Sequence, residues 1–471
     1  MNTPTAIDNL SRADLIELVV TLQRQGAALS AQVGKLQAEN DLLKRQQARQ
    51  AAPFAKGKRV HKPNRPGRHP GSGRFCYRHA PALERLSGAP VDVPVTERAC
   101  PRCGGALHPE RTDWAYQTDL PPLPRPVVMA YRVAVCRCVL CGHQVRGHHP
   151  EVAPDQYGAT AHRVGHRVMA LAHVLHYGLG LPVRRVPAVL RLFSGIQMTQ
   201  SAMTQDALRR LPGALGERYE RLRARVAERP VVHTDDTGWR VGGEPAYLMA
   251  FETDEATVYQ MRAQHRHDEV AEVIPPDYEG VMTTDRGRSD DAHAFDAVKQ
   301  QQCLSHILRT ISDVLERQRG RTRLFGERLQ TLLREAIALW HAYHAGGIDT
   351  FVEQARRLQK AITQQLRPRV LRDPDNQRLL DGIGWHHDRG NLLRFLDDPT
   401  IEPTNNRAER SLRGPVIARK VSQCSKTPRG AAAFAALSSV IKTLVKSGLE
   451  VMVEELCELF RGTCLQRASP L

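Results

Sequence analysis

Residues 230–285 alternate strand-like runs with turns, and this order of elements limits the fold more than any other feature of the chain. β-Branched and aromatic residues are concentrated in three runs separated by short turns, which predicts an antiparallel meander over 230–241, 246–251 and 257–261. A short helix at 267–273 and an apolar strand at 280–285 are expected to follow. The order β-β-β-α-β predicts a mixed α/β sheet whose fourth strand lies parallel beside the first.

Two adjacent acids, Asp235 and Asp236, interrupt the first of these strands. Carboxylates in a half-buried strand are costly unless a cation or a strong donor compensates them, although both would cost little if they faced solvent near a strand end. Strand alternation points them to opposite sides, so only one can face a shared site. The order of elements is that of a ribonuclease H-like core, in which Asp235 becomes a neighbour of Asp285.

Leucine recurs every seven residues from Leu15 to Leu43, and Asn40 lies four residues after one of these leucines. With leucine at heptad position d, Asn40 falls at position a, where a buried asparagine favours two strands in register. The alternative is a single amphipathic helix packed on its own domain. We predict a coiled coil over residues 8–48 that joins two copies of the chain.

Two C-x-x-C pairs, each next to glycine, predict a zinc-binding module over residues 95–150; the pairs are Cys100 with Cys103 and Cys138 with Cys141. Four thiolates close a tetrahedral zinc site, and closed sites of this kind are structural. One alternative replaces a ligand with another nearby side chain, namely Cys136, His143, His148 or His149. The other alternative is a set of free cysteines in turns.

The charge balance indicates a nucleic-acid partner, because the 67 Lys and Arg residues outnumber the 50 Asp and Glu residues. An anionic membrane is the second partner to consider, but no apolar run approaches the roughly twenty residues that span a bilayer. Residues 1–10 lack a secretory pattern, so we expect a soluble, cytoplasmic protein. Residues 51–75 form a basic, Pro- and Gly-rich linker suited to DNA phosphates or simply solvated, with candidate contacts at Lys56, Lys58, Arg59 and Lys62.

Residues 160–225 are predicted to be helical and to bind DNA. A helix at 182–192, a Ser194-Gly195 turn and a second helix near residue 200 are compatible with a helix-turn-helix, or equally with a plain helical hairpin. In the second helix we expect five side chains to face solvent: Gln200, Ser201, Gln205, Arg209 and Arg210.

Four segments together resemble the transposases of the insertion sequence 66 family: HTDDTG at 233–238, VMTTD at 281–285, CLSHILR at 303–309 and PTNNRAERSLR at 403–413. That family also has an N-terminal coiled coil, a basic linker, a four-cysteine zinc-binding segment and a helical segment before its catalytic core. The chain departs from the family pattern at Asp236, where glutamate is usual. It also lacks the aromatic residue that usually follows the second acid.

The resemblance implies an aspartate-aspartate-glutamate (DDE) enzyme with Asp235, Asp285 and Glu409 as catalytic residues and ligands of two Mg²⁺ or Mn²⁺ ions. Its expected action is to bind terminal inverted repeats, cleave DNA and join the 3′-hydroxyl ends to target DNA. From the local sequence alone, Glu409 could instead complete a capping box with Asn406. Cys303 and His306 are given a supporting role without metal ligation, although simple packing near the second acid's strand is the alternative.

Basic residues that follow Glu409 are further candidate DNA contacts or, equally, a solvated surface run: Arg410, Arg413, Arg419 and Lys420. The partners implied are DNA, a second copy of the chain in a dimer or larger oligomer, and candidate accessory proteins of the element, in the bacterial nucleoid. The competing function is a zinc-containing, dimeric DNA-binding protein without catalysis. The predicted catalytic domain spans 228–445 with a helical insertion at about 310–400, and a C-terminal helix and tail occupy 446–471.

Overall fold

Helices and one mixed sheet account for most of the chain after residue 160. The computed structural model describes, besides isolated positions before residue 91, the ranges 91–116, 125–285, 293–346 and 349–468. The chain divides into two units, one of them Lys56–Val127 and the other Met1–Ala55 with Val128–Leu471. The predicted basic linker lies outside the described residues, as does the predicted coiled coil, except for isolated helical positions such as Val33 and Leu36.

Between residues 125 and 230, a two-stranded hairpin and four α-helices precede the main sheet. Strands β1 (Val135–Arg137) and β2 (Gln144–Arg146) pair antiparallel, with Cys136 opposite Val145. The helices are α1 (His166–His173), α2 (Val186–Ser194), α3 (Gln200–Arg210) and α4 (Ala214–Val226). The predicted turn between α2 and α3 is confirmed, because Gly195 ends α2 at a φ of 68° and the Thr199 side chain caps α3.

The expectation that Arg210 faces solvent is wrong, whereas the other four named residues of α3 are exposed. Arg210 lies one turn after Asp206 and two turns after Met203, so the helical period puts all three on the buried face. Its guanidinium donates to Asp206 over 2.6 Å and lies 3.7 Å from the centre of the Phe460 ring. The arginine therefore anchors α3 internally and is not available to a partner.

Five strands form the sheet, and helix α5 (His267–Ala271) connects the third to the fourth. The strands are β3 (Val231–Val241), β4 (Glu244–Glu252), β5 (Thr257–Arg262), β6 (Val281–Thr284) and β7 (Lys299–Gln302). Their spatial order is β5-β4-β3-β6-β7. β3, β4 and β5 pair antiparallel, while β6 lies parallel to both β3 and β7. The predicted meander and the predicted parallel fourth strand are both confirmed.

A helical insertion separates the sheet from the third predicted acid. It consists of α6 (Leu304–Arg317), α7 (Arg323–His344), α8 (Phe351–Leu366), α9 (Pro374–Asp388) and α10 (Arg394–Asp397). These helices enclose their own hydrophobic core, which meets the sheet at Val281. The helical periodicity noted in the sequence therefore marks an independently packed layer at the β7 side of the sheet.

Three further helices complete the chain: α11 (Asn406–Ser422), α12 (Pro428–Lys446) and α13 (Leu449–Ala468). One core joins α12, α13, the helices before the sheet and one sheet face, as seen in the packing of Met169, Leu437 and Phe251. A smaller core on the opposite face joins Trp239 to Leu412 of α11. Helix α11 is thus held directly on β3, the strand that carries the paired acids.

Both edges of the sheet are covered. At the β5 edge, side chains of α12 accept backbone hydrogen bonds: Ser439 from Tyr259 over 2.8 Å and Thr443 from Thr257 over 3.1 Å. At the β7 edge, the Gln302 amide donates to the Asn391 carbonyl over 2.7 Å. Covered edges offer no row of unpaired backbone groups to another strand.

Candidate active site

Asp235 lies on β3, and Asp285 directly follows the neighbouring parallel strand β6. β3 and β6 pair residue by residue, with His233 opposite Thr283. Two residues further on, the chain reaches Asp235 within β3 and Asp285 directly after β6, and the Asp285 carboxylate is close enough to raise the pKa of Asp235. Both side chains are half-buried. The pairing predicted from the order of elements is therefore present.

Glu409 enters from helix α11, and Asn405 fixes where that helix begins. Asn405 is fully buried, its side-chain amide donates to the Thr234 carbonyl over 2.6 Å, and its oxygen lies 3.3 Å from His233 Nδ1. Its backbone amide donates to Cys303 Sγ over 3.1 Å. The start of α11 is thereby tied to β3 and to the beginning of α6.

The capping-box alternative for Glu409 is wrong. That alternative requires Asn406 before the helix and Glu409 at its third position, but Asn406 is the first helical residue and Asn405 precedes it. Glu409 is therefore the fourth residue of α11, and its backbone amide donates to the Asn405 carbonyl over 3.2 Å. The Glu409 carboxylate is half-buried and lies close enough to Asp235 and Asp285 to raise the pKa values of both.

The acids repel one another. Burial and the neighbouring Asp285 carboxylate raise the pKa of Asp235 to about 8, although the Asp236 amide donates to its Oδ1 over 2.8 Å. Burial likewise raises the pKa of Asp285, with Asp236 and Glu409 adding to the effect and His306 opposing it. A divalent cation would relieve this repulsion and keep the carboxylates ionised. The donor set fits Mg²⁺ or Mn²⁺, since hard ions prefer oxygen ligands.

Asp236 points to a different partner. Its Oδ2 lies 3.0 Å from Nδ1 of His265, whose ring packs edge-on against Tyr247 at 5.3 Å between ring centres. Strand alternation accounts for this separation of roles, because consecutive side chains leave a strand on opposite faces. Neither His265 nor Asn405 was singled out from the sequence. The only signal for Asn405 was its place in the matched segment at 403–413.

Cys303 and His306 lie beside Glu409. Cys303 is fully buried between β7 and α6, and its amide donates to the Thr284 carbonyl over 2.8 Å. His306 Nδ1 is 3.8 Å from Glu409 Oε1. Among the described residues, one set of three His, Cys, Asp or Glu side chains has ligand atoms all within 4.8 Å: Cys303, His306 and Glu409. Cys303 and His306, the two residues expected to support the site, therefore lie close to Glu409.

Three of the four basic candidates on α11, namely Arg410, Arg413 and Lys420, are exposed. Arg419 is half-buried and donates to the Thr237 hydroxyl over 3.0 Å and to the Gly238 carbonyl. It therefore connects α11 to β3. The other basic candidates, Lys56, Lys58, Arg59 and Lys62, lie outside the described residues.

The two C-x-x-C pairs have the same turn geometry, one in each unit of the chain. In the first, Gly104 donates to the Cys100 carbonyl over 2.8 Å at a φ of 74°; in the second, Gly142 donates to Cys138 over 3.0 Å, also at 74°. Backbone amides of Arg102 and Cys103 lower the pKa of the Cys100 thiol. Those of Cys141 and Leu140 lower the pKa of Cys138. Turns that stabilise thiolates are suited to zinc.

A zinc measurement on the full chain tests the four-cysteine prediction. We expect Cys138→Ser to lower tightly bound zinc by about one equivalent, because three remaining ligands hold a structural ion far less well. Elemental analysis after dialysis against a weak chelator gives the readout. Cys136→Ser is the matched control, since that exposed thiol lies on β1 outside both turns; zinc loss in the control with none in Cys138→Ser would contradict the predicted ligand set.

No helix in the described ranges combines the length and apolar character that crossing a bilayer requires.

The sequence model described as "Transposase IS66 family" matches residues 162–433, which include the helices before the sheet, the sheet itself, the insertion and α11. The chain is also similar to the uncharacterized protein y4jD of Sinorhizobium fredii (strain NBRC 101917 / NGR234), with 25% identity over 410 residues, covering 80% of this chain and 76% of that protein. Because the family match covers more than half of the chain and contains all three acids, the protein belongs to the transposase IS66 family.

Proposed function

We propose that this transposase binds the terminal inverted repeats of its element, cleaves the DNA and joins the exposed 3′-hydroxyl ends to target DNA. The observation that carries the proposal is the parallel register of β3 and β6, which pairs His233 with Thr283, two residues before Asp235 and Asp285. Glu409 reaches the same region from a helix held on β3 through Asn405. The strand order and the covering helices support a ribonuclease H-like classification of the core.

Asp235, Asp285 and Glu409 are the residues that would hold Mg²⁺ or Mn²⁺. Two such ions supply activation of the attacking water or 3′-hydroxyl and stabilisation of the leaving oxygen during in-line displacement at phosphorus. Asp235 is the natural shared ligand, because both Asp285 and Glu409 are close enough to raise its pKa. The raised pKa of Asp235 supports this assignment, because carboxylates that are placed together to bind cations repel one another when no cation is bound.

The charge distribution supports DNA as the substrate. The chain carries a formal net charge of +17. Arg413 and Lys420 are exposed on the helix that carries Glu409, so their positive charges are available to phosphates near the acids. Arg419 has a different role. It joins α11 to β3 and thereby helps to position Glu409 relative to Asp235. In the proposed enzyme, residues 8–48 also pair two copies of the chain, and the four cysteines bind a structural zinc ion.

A cleavage assay tests the proposal. Full-length protein is mixed with duplex DNA carrying the inverted repeats that flank its gene, with Mg²⁺ or Mn²⁺ and with a chelator. We expect Glu409→Gln to lower metal-dependent cleavage at least about a thousandfold, corresponding to the loss of roughly 4 kcal/mol of transition-state stabilisation, while binding to the same DNA persists.

Glu316→Gln is the control for this assay, because Glu316 is an exposed glutamate near the far end of α6. It should cleave at the wild-type rate. Specific binding to the repeats by wild-type protein, with no cleavage under any divalent ion, would overturn the proposed activity. That outcome would favour the competing function, a dimeric DNA-binding protein without catalysis.

A further inference from the structure

We propose that Cys303, His306 and Glu409 form a three-ligand site for Zn²⁺, and that zinc bound there inhibits the enzyme by withdrawing Glu409 from the hard-metal site. The first part rests on the geometry of the three side chains alone. The second part rests on the proposed function, because it assumes that Glu409 serves the catalytic ions. The site differs from the four-cysteine module in position and ligands.

The distances suit a tetrahedral ion. Zinc lies about 2.0 Å from nitrogen and oxygen ligands and about 2.3 Å from sulfur, so its ligand atoms are separated by roughly 3.3 to 3.7 Å. His306 Nδ1 and Glu409 Oε1 are 3.8 Å apart, and all three ligand atoms lie within 4.8 Å of one another. Side-chain shifts below about 1 Å would close the site around an ion.

The backbone holds two of the ligands in place before any ion binds. Cys303 and His306 lie one helical turn apart at the start of α6, where the His306 amide donates to the Cys303 carbonyl over 3.2 Å. The Cys303 sulfur is positioned by the Asn405 amide at 3.1 Å. A site with such supports loses little conformational entropy on binding.

The environment of His306 Nδ1 gives a second, independent indication that this atom can bind a metal ion. This atom is buried and has no hydrogen-bond partner among the described residues, although a buried ring nitrogen without a partner is costly. Its closest described acid is Glu409, at a distance beyond a hydrogen bond. A metal ion between the two groups would satisfy both the nitrogen and the carboxylate.

The ligand types separate this site from the carboxylate site. Thiolate and imidazole are ligands that favour Zn²⁺, whereas Asp235 and Asp285 offer only the oxygens that Mg²⁺ prefers. Glu409 is the one ligand that both sites can use. Three protein ligands leave a fourth position for water, and the proton displaced from the Cys303 thiol passes to solvent. Zinc and magnesium therefore compete through one carboxylate.

Zinc content tests the site without any need for activity. Full-length wild type and Cys303→Ser are equilibrated with the same Zn²⁺ buffer and analysed for bound metal. We expect Cys303→Ser to bind about one equivalent less, because serine keeps an acceptor for the Asn405 amide but is a poor zinc ligand. His306→Gln is a second variant, and it should show the same deficit.

Cys424→Ser is the matched control, because Cys424 is a half-buried thiol outside the cluster. Its zinc content should equal that of the wild type. Any zinc held by the four-cysteine turns is common to all these proteins and cancels in the comparison. Equal zinc content in wild type, Cys303→Ser and His306→Gln, with all three folded by circular dichroism, would overturn the proposed site.

Cleavage in Mg²⁺ with increasing Zn²⁺ tests the inhibition, and each protein is compared with its own zinc-free rate. We expect the zinc concentration for half-inhibition to rise at least about tenfold in Cys303→Ser, equivalent to about 1.4 kcal/mol. A zinc deficit with unchanged inhibition would refute the competition through Glu409. A zinc deficit in a protein that never cleaves DNA would refute the proposed function and leave the zinc site standing.

Discussion

Asp235→Asn should abolish DNA cleavage and strand joining, lowering both at least about a thousandfold, and should make the metal-free protein more stable. The loss of activity follows from removing the carboxylate that is proposed to bind both metal ions. The gain in stability follows because burial, and then the charges of Asp285, Asp236 and Glu409, raise the pKa of Asp235, so its negative charge is unfavourable in the folded chain. Asparagine has nearly the same shape and no charge.

The sign of the stability effect depends on pH. An aspartate in an unfolded chain has a pKa near 3.9, whereas Asp235 has a pKa of about 8 in the folded protein. Between about pH 4 and pH 8 the folded state holds a proton that the unfolded state has lost, so wild-type stability falls as the pH rises. Asp235→Asn lacks this carboxyl group and does not lose stability in this way. At pH 8 its free energy of unfolding should exceed that of the wild type by about 1 to 3 kcal/mol. Urea unfolding at pH 5 and pH 8 with a chelator measures it.

Two controls sharpen this prediction. Asp236→Asn changes an adjacent acid that pairs with His265, and it should cost much less activity than Asp235→Asn. Added Mg²⁺ should stabilise the wild type more than Asp235→Asn, because an ion that binds only the folded state raises its stability. Full cleavage by Asp235→Asn, or a variant less stable than wild type at pH 8, would contradict the assignment.

Asn405→Ala should lower both the free energy of unfolding and the cleavage rate. Burial lowers the pKa of His233 to about 4, so the ring is neutral near pH 7 and can donate to the Asn405 oxygen. The alanine variant leaves this ring and the Thr234 carbonyl buried without their partner. We expect a loss of about 2 to 4 kcal/mol in urea unfolding, and at least a roughly hundredfold slower cleavage because Glu409 is displaced.

Asn406→Ala is the matched control for this positioning role. Asn406 is the next residue, it is exposed, and it is the first residue of α11. Stability and cleavage should remain close to wild type. If both asparagine variants behaved alike, the contacts of Asn405 with β3 would not be what holds the third acid in place.

The sheet was predictable from sequence because its signals are local. Alternation of side chains, glycines between the first two strands and a helix before the fourth strand together specify pairing partners. Gly242 and Gly243 both adopt positive φ, which the tight connection between β3 and β4 requires. The neighbourhood of Asp235 and Asp285 follows from that pairing, since a parallel register fixes which residues lie side by side.

Contacts between distant segments were not predictable in the same way. Arg210 looked like a surface residue because nothing near it in sequence reveals that Phe460, 250 positions later, covers it. The packing of the helices at 160–225 was not predicted either: α1, α3 and α4 share a hydrophobic core with the sheet and α12, and their role in binding DNA stays a prediction. Asn405 acts through Thr234 and Cys303, partners that only the folded chain brings together.

The position of α11 in the chain has a consequence for when the enzyme can act. Asp235 and Asp285 are synthesised well before Glu409, and the helical insertion lies between them and the third acid. Proteins emerge from the ribosome N-terminus first, and their domains fold as they appear. A chain that ends before residue 405 therefore lacks the third acid, and it also lacks α11 and α12, whose residues belong to the cores on the two faces of the sheet. Under the proposed function, the ability to cut DNA would appear only when translation is nearly finished.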